Sequence, residues 1–358
     1  MRTTEPPFKV GVLVPQSGVA GIYGPSCKAC IELAQAEINE FGGIAGRSVE
    51  IVYLDGSRPA LELGRQIDAL AEGGTVDALI GMHDSDVRKA VLSVIRERLI
   101  YVYTPCYEGG EAAPNLLTLG ETPAQQVWPA LHWLVNESGA KNWYFIGNDY
   151  SWPRHLRTYL DGHAASMGIK FSGVQFVEFD CAEYEDYLVA IDESGVDGVI
   201  IALVGEDSIH FNREFGSFSF GRDLLRFCPL IEENTLLAIE EENASNLYAA
   251  GGYFPSLDIS ENEAFKARYS ARYGNAAPEI NTLGVSCYEA LSLLGKLFEI
   301  FPDLQPHELA AISSGLSFSS PAGRIELAGG HVIRKIYLAK AMNNEFQILH
   351  DFGRLAPR

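Results

Sequence analysis

The feature that most constrains this chain is an alternation of short apolar runs with amphipathic segments of helical spacing, met twice along its 358 residues. Phe8–Pro15 is a β-branched run closed by Pro15 and Gly18, and it predicts a buried strand. Ile31, Ala34, Ile38 and Phe41 then recur at helical spacing until Gly42-Gly43 stops them. A strand at Val49–Leu54, a helix at Ala60–Glu72 and a strand at Ala78–Gly81 follow. Val87, Ala90, Val91, Val94 and Ile95 form one apolar helical stripe, and Leu99–Tyr103 is the next strand. Such a β-α-β-α-β-α-β order predicts a parallel sheet with helices on both faces.

The second series starts at the strand Trp143–Gly147, after Gly120-Glu121-Thr122-Pro123. It continues through a helix at Arg154–Met167, a strand at Lys170–Val177, a helix at Glu183–Ser194, a strand at Val196–Val204 and a helix at Ser208–Phe215. An apolar run at Leu247–Phe254, a long helix at Thr282–Phe298 and a strand-rich tail at Gly323–Leu327, Val332–Lys340 and Phe346–Asp351 complete the chain. The fold class expected is α/β, with two Rossmann-like lobes whose parallel sheets face each other. Open sheets bind at the carboxyl ends of their strands, which puts the ligand in the cleft between the lobes.

Composition narrows the function. A net charge of −20 disfavours phosphate backbones and anionic membranes, so direct nucleic-acid binding is not expected. No apolar stretch reaches the 18 or so residues of a membrane span. The segment from Met1 to Pro7 has no apolar core or cleavage site of a signal peptide. Cys27, Cys30, Cys106, Cys181, Cys228 and Cys287 follow no disulfide framework, which suits a reducing compartment. The expectation leans slightly to the cytoplasm, or to the periplasm if a signal peptide has been removed. Cys27-Lys-Ala-Cys30 has redox-motif spacing but no second pair for zinc, and two ordinary helix cysteines are expected. No metal or cofactor site is expected. Nucleophile-elbow, P-loop, dinucleotide and zinc-protease motifs are absent, so no enzyme is expected. His83-Asp84-Ser85 brings the three triad residue types together, but neighbours in a chain rarely reach triad geometry.

Candidate ligand-binding residues lie at strand ends. His83 and Ser85 stand between the strand ending at Gly81 and the helix starting near Val87. Ser85 can turn its hydroxyl to a carbonyl or carboxylate, or simply cap the helix. Tyr103 and Pro105 end the next strand and offer apolar walls. Tyr150 and Trp152 join an apolar face to a polar tip; they suit a small amphipathic guest or plain packing between lobes. Gly205 and Glu206 follow another strand. Glu232 and Glu233 could accept N–H groups from an amide, amine or urea, or serve as first-turn acids of the next helix.

Several segments in order carry a resemblance: Ser85–Val91, Tyr107–Glu111 with Pro114-Asn115, Phe145–Tyr150 with Pro153-Arg154, Val204-Gly205, Tyr253–Asp258 and Pro321–Arg324. Together the chain resembles the type I periplasmic-binding-protein fold in its branched-chain amino acid receptor branch. Within that branch it is most similar to the amide sensor AmiC and to urea-binding receptors of ABC transporters. The resemblance implies three crossings, near Gly120, Gly252 and Leu327, with lobe one at 8–120 plus 253–327 and lobe two at 121–252 plus 328–358. It implies ligand contacts at Ser85, Tyr103 and Tyr150, and an aromatic position at Trp152. His83 and Pro105 depart from the pattern, and Glu232-Glu233 stand near the carboxylate that amino-acid receptors offer a ligand ammonium. The function expected is a non-enzymatic receptor for a short amide, urea or similar molecule. Its partner would be a regulatory protein or an ABC permease, and a homodimer is compatible with it. An amino-acid receptor is the alternative, and an amidohydrolase a remote one.

Overall fold

In a computed structural model, which describes residues 6–218 and 224–357, the two expected series form two sheets. The first unit runs β1 (Phe8–Val14), α1 (Gly24–Glu40), β2 (Val49–Asp55), α2 (Ala60–Glu72), β3 (Ala78–Gly81), α3 (Ser85–Ile95), β4 (Ile100–Tyr103) and β5 (Leu116–Thr118). Its five strands pair in the order β2-β1-β3-β4-β5, all parallel. The order reverses between β1 and β3, so their carboxyl ends open a crevice. Leu63, Ile67, Val87, Val91 and Ile95 of α2 and α3 cover one face of this sheet. Ile31 and Ala34 of α1 help to cover the other.

The second unit runs α4 (Val127–Ser138), β6 (Asn142–Asn148), α5 (Ser151–Met167), β7 (Lys170–Val177), α6 (Glu185–Glu193), β8 (Gly198–Ala202), α7 (Gly205–Ser217), β9 (Leu225–Phe227), α8 (Glu233–Ile239) and β10 (Leu247–Gly251). Its parallel strands repeat the first order, as β7-β6-β8-β9-β10. The chain returns to the first unit as α9 (Ser260–Tyr273) and α10 (Thr282–Ile300), which packs beside α1. It ends as α11 (Leu309–Ser313), β11 (Ser317–Ser320), β12 (Gly323–Ala328), β13 (His331–Met342) and β14 (Glu345–Leu355). These last strands are antiparallel, and β13 joins β10. The β12–β13 ladder therefore runs across the expected boundary at residue 327, with Leu327 opposite Val332.

Two local expectations change. Phe41 lies just past α1 and is 89% exposed, because the helix ends at Glu40 and frees the ring from its stripe. The N-cap of α3 is Asp84, not Ser85; its carboxylate accepts from Val87 N–H at 2.8 Å. Also beyond the expected elements are α8, α9, β5 and β9, which are short or lack a clean apolar stripe, and α4, whose stripe of Val127, Ala130, Leu131, Leu134 and Val135 was there to be read.

The segments passing between the units meet at one buried knot. Arg334 of β13 donates two hydrogen bonds to Glu289 of α10, at 3.1 and 3.2 Å. Its Nε lies 3.8 Å from Glu121, whose carboxylate accepts from Gly252 N–H at 2.9 Å. A Cβ on Gly252 would fall 2.3 Å from Arg334 Nε, so only glycine lets these strands close on the guanidinium. Removing one partner leaves a buried charge uncompensated, which costs several kcal/mol. Glu289→Ala is expected to lower unfolding free energy by about 3–5 kcal/mol in urea titrations, and Arg334 and Glu289 replaced together by apolar residues should lose much less.

Candidate functional site

The carboxyl ends of the two sheets enclose a cavity of about 250 Å³. Lobe one supplies Ser17, Val19 and Tyr23 after β1, Ser57 after β2, Met82–Ser85 after β3, and Tyr103, Pro105 and Cys106 after β4. Lobe two supplies Tyr150 after β6, Phe179 and Asp180 after β7, Val204 after β8 and Leu230 after β9. Of the sequence candidates, His83, Ser85, Tyr103, Pro105 and Tyr150 are thus brought together.

The other five stand outside the cavity lining. Trp152 is buried among Trp143, Leu156 and Leu160 in the core of lobe two. Gly205 forms part of the closure between lobes: its N–H donates to the Tyr23 hydroxyl at 2.7 Å. Its φ is +47°, and a Cβ would lie 1.9 Å from the Val19 carbonyl. The Glu206 N–H donates to that same carbonyl at 3.0 Å, while its side chain is exposed. Glu232 is the buried N-cap of α8, accepting from Asn234 and Thr235 N–H and from the Asn281 amide. Glu233 faces a different cavity. A second closure contact lies at the rim, where Ser151 bonds to Asp86 and receives Lys89 Nζ at 2.8 Å.

Glycine-81 is the reason the wall around His83 can form. A Cβ there would lie 2.5 Å from His83 Nε2 and 2.6 Å from the Tyr101 hydroxyl. In its absence those two groups bond at 2.8 Å, and Nδ1 lies 2.9 Å from the Asp84 carbonyl. The donor–acceptor order that satisfies all three is Nδ1–H to Asp84 and Tyr101 O–H to Nε2. Burial pushes the imidazole down to about 4, so His83 is a neutral, fixed wall at neutral pH. It has no bond to the Ser85 hydroxyl among those present, and no triad forms. The Tyr103 hydroxyl donates to the His83 carbonyl at 2.7 Å. The phenol of Tyr150 is held protonated by burial, with Cys106, Tyr103 and Asp84 as neighbours.

Behind Ser85 lies a residue that no spacing along the chain marks. Arg88 is 1% exposed and bonds Glu108 at 2.6 Å and Glu111 at 2.9 Å. Its guanidinium sits 4.8 Å from the Tyr103 ring centre and 3.5 Å from the Ser85 hydroxyl. Burial raises the Glu108 carboxyl, but Arg88 outweighs it and holds the group below its ordinary range. Arg88 therefore spends its charge on two carboxylates and stiffens the wall. Cys27 and Cys30 are buried in the core, and burial pushes both thiols well up, away from thiolate chemistry.

A family model described as periplasmic binding protein matches residues 7–345. The chain belongs to that family. Solved structures of similar fold include a solute-binding protein of an ABC transporter from Rhodopseudomonas palustris HaA2 in complex with p-hydroxybenzoic acid. It is 20% identical, with a TM-score of 0.87 and 96% of each chain covered. An amino acid ABC transporter substrate-binding protein from Pseudomonas fluorescens Pf-5 is 17% identical, with a TM-score of 0.84, covering 98% of this chain and 96% of the other. A branched-chain amino acid transporter substrate-binding protein from Streptococcus pneumoniae, in complex with isoleucine, is 16% identical, with a TM-score of 0.82 and coverage of 98% and 100%. The family and these neighbours are binding proteins rather than enzymes. The family description also speaks for the periplasm, and the slight lean to the cytoplasm finds no support in it.

The folded imidazole of His83 titrates below its unfolded value of about 6.5. Above that value both states are neutral and the group contributes nothing. As pH falls from about 6.5 towards about 4, the unfolded chain binds a proton that the folded one refuses, and stability drops. The expected loss is ~3 kcal/mol when fully developed. Urea unfolding across that range should show a shallower pH slope in His83→Asn than in the parent chain.

Proposed function

We propose that this chain is the substrate-binding receptor of an ABC importer, and that its cleft takes a small uncharged molecule with an amide or urea head and an apolar body. The observation that carries the second part is the charge of the wall. Among the described residues, the cavity is lined by Asp84 and Asp180 and by no lysine or arginine. Arg88, the guanidinium behind that wall, is held by Glu108 and Glu111. A carboxylate guest would meet two acidic side chains without a cation to pair with, at a steep desolvation cost. An amide meets hydroxyls of Ser17, Ser57, Ser85 and Tyr150 and can give N–H donors to Asp180, while Asp84 is engaged as the cap of α3.

Size supports the apolar body. A cavity of about 250 Å³ is larger than urea or acetamide needs, since water alone occupies about 30 Å³ in the liquid. Tyr23, Tyr103, Tyr150 and Phe179 offer flat surfaces for the remainder. The aromatic acid found with the Rhodopseudomonas palustris protein has such a body but carries a charge that this wall does not favour. The sensor role expected for an AmiC-like protein would use the same cleft; the transporter proteins of similar fold weigh towards transport.

Benzamide and benzoate share shape and differ in charge, so they separate the readings. In thermal-shift and calorimetric titrations at neutral pH, benzamide is expected to stabilise the protein and benzoate to do so at least about tenfold more weakly, a difference of about 1.4 kcal/mol. Ser85→Ala should weaken benzamide binding. Preference for benzoate, or for isoleucine over any amide, would overturn the proposal in favour of an acid or amino-acid receptor.

A further inference from the structure

Behind the lobe-two wall of the cleft sits a carboxylate that does not itself line the cavity. Asp207, in the first turn of α7, is 1% exposed, and Asn148, the last residue of β6, is fully buried. Asn148 Nδ2 donates to Asp207 Oδ2 at 2.6 Å, and Asn148 Oδ1 accepts from the Val204 N–H at 2.8 Å. Asp207 Oδ1 accepts from the Cys181 N–H at 3.2 Å. One pair of side chains therefore ties together the segments that leave β6, β7 and β8. Each tie lies beside a residue that lines the cleft: Tyr150 is two residues past Asn148, Asp180 precedes Cys181, and Val204 is held directly.

The turn at Asp180 needs such a tie. Its φ is +61°, in the left-handed region that residues other than glycine avoid and that aspartate tolerates better than most. Backbone of this kind persists where its surroundings fix it. The order of donors and acceptors around Asp207 is strict. Val204 N–H gives to the amide oxygen of Asn148, the amide nitrogen gives to one carboxylate oxygen, and Cys181 N–H gives to the other. Only a group with two acceptors and no donor fits between two donors. An amide at position 207 would leave one donor facing another, whichever way the two side chains turned.

We infer that Asp207 is a positioning residue for guest binding: acting through Asn148 and the Cys181 backbone, its carboxylate holds Tyr150, Asp180 and Val204 at the cleft. The inference rests on the lobe cleft being the binding site and not on the guest being an amide. Burial raises the Asp207 carboxyl, and the bonds from Asn148 and the Cys181 N–H hold back part of the rise.

Exchanging the two side chains tests the donor–acceptor order. Asp207→Asn alone breaks it. Asn148→Asp combined with Asp207→Asn restores it, because the acid then accepts from Val204 and from the new amide, whose oxygen accepts from Cys181. Calorimetry on the intact chain uses whichever of benzamide, benzoate and isoleucine the parent chain binds, with amide hydrogen exchange at Cys181 and Val204 alongside. Asp207→Asn is expected to weaken binding about tenfold, to change the ratio of benzamide to benzoate affinity at least about threefold, and to lose protection at these amides. The paired variant should return binding to within about threefold of the parent chain and regain the protection. A loss of stability alone would leave the affinity ratio of the folded protein as it was. Should Asp207→Asn not fold, Asn148→Ala takes its place: it should bind more weakly while Cys181 stays protected. Parent-like affinity and ratio in the single variant, or a paired variant that binds no better than the single one, would each overturn the inference. If the parent chain binds none of the three molecules, the amide reading fails separately and exchange decides: protection lost in the single variant and regained in the pair supports the role of Asp207, and unchanged protection overturns it.

Discussion

The rest of the architecture hangs on the buried Arg334 knot. Three stretches of chain pass between the units, and a cleft receptor needs them close together so that one unit can turn on the other. Arg334 gathers Glu289 of α10, Glu121 of the first passage and, through Glu121, the backbone of Gly252 in the second. Burial pushes the Glu289 carboxyl up and Arg334 pulls it back, so the pair holds only as a pair. Such a charge cluster is weak as net stability and strong as specification, because few other packings satisfy it. Gln125 and Gln126 extend the tie, donating to Val332 and Leu355 and to Pro229 and Ala250.

On either side of that knot the two sheets present matching ends. Each uses the same parallel order, so each has its reversal of direction between equivalent strands, and the two crevices meet. The cavity between them is aromatic, hydroxylic and acidic. Its stiffness comes from behind: Arg88 braces Ser85 and Tyr103, and Tyr101 fixes the ring of His83, which burial keeps neutral. A wall whose polar groups are already fixed binds without paying again for their ordering.

Much of this was legible in the pattern of the chain. Strand ends at Gly81, Tyr103 and Asn148 pointed to Ser85, Tyr103 and Tyr150, which line the cavity, because side chains at and just past the end of a parallel strand stand at the mouth of the crevice. Trp152 misled for a local reason. It is the second residue of α5, on the face that packs under the sheet, so its ring fills the core while Tyr150, two residues earlier, reaches the cleft. Glu232 misled because an acid at a helix start satisfies backbone N–H groups before it serves a ligand, and Glu233 because the next residue of the helix turns to a different cavity. Tyr23, Ser57 and Phe179 carried no pattern signal; they are contributed by loops, where periodicity is silent.

The sequence by itself determined the alternation of strands and helices, hence two parallel sheets and a cleft at their carboxyl ends, since periodicity of burial is a local property of the chain. It also carried enough ordered motifs to point to the periplasmic-binding-protein fold. Only the tertiary structure decided which residues look into the cleft, that its cationic neighbour Arg88 is spent on Glu108 and Glu111, and that Glu233 borders a cavity of its own. Those facts depend on side chains brought together from positions far apart in the chain, as with Arg334 and Glu121 or Tyr23 and Gly205. Spacing along the chain says nothing about such meetings; packing and the pairing of buried charge do.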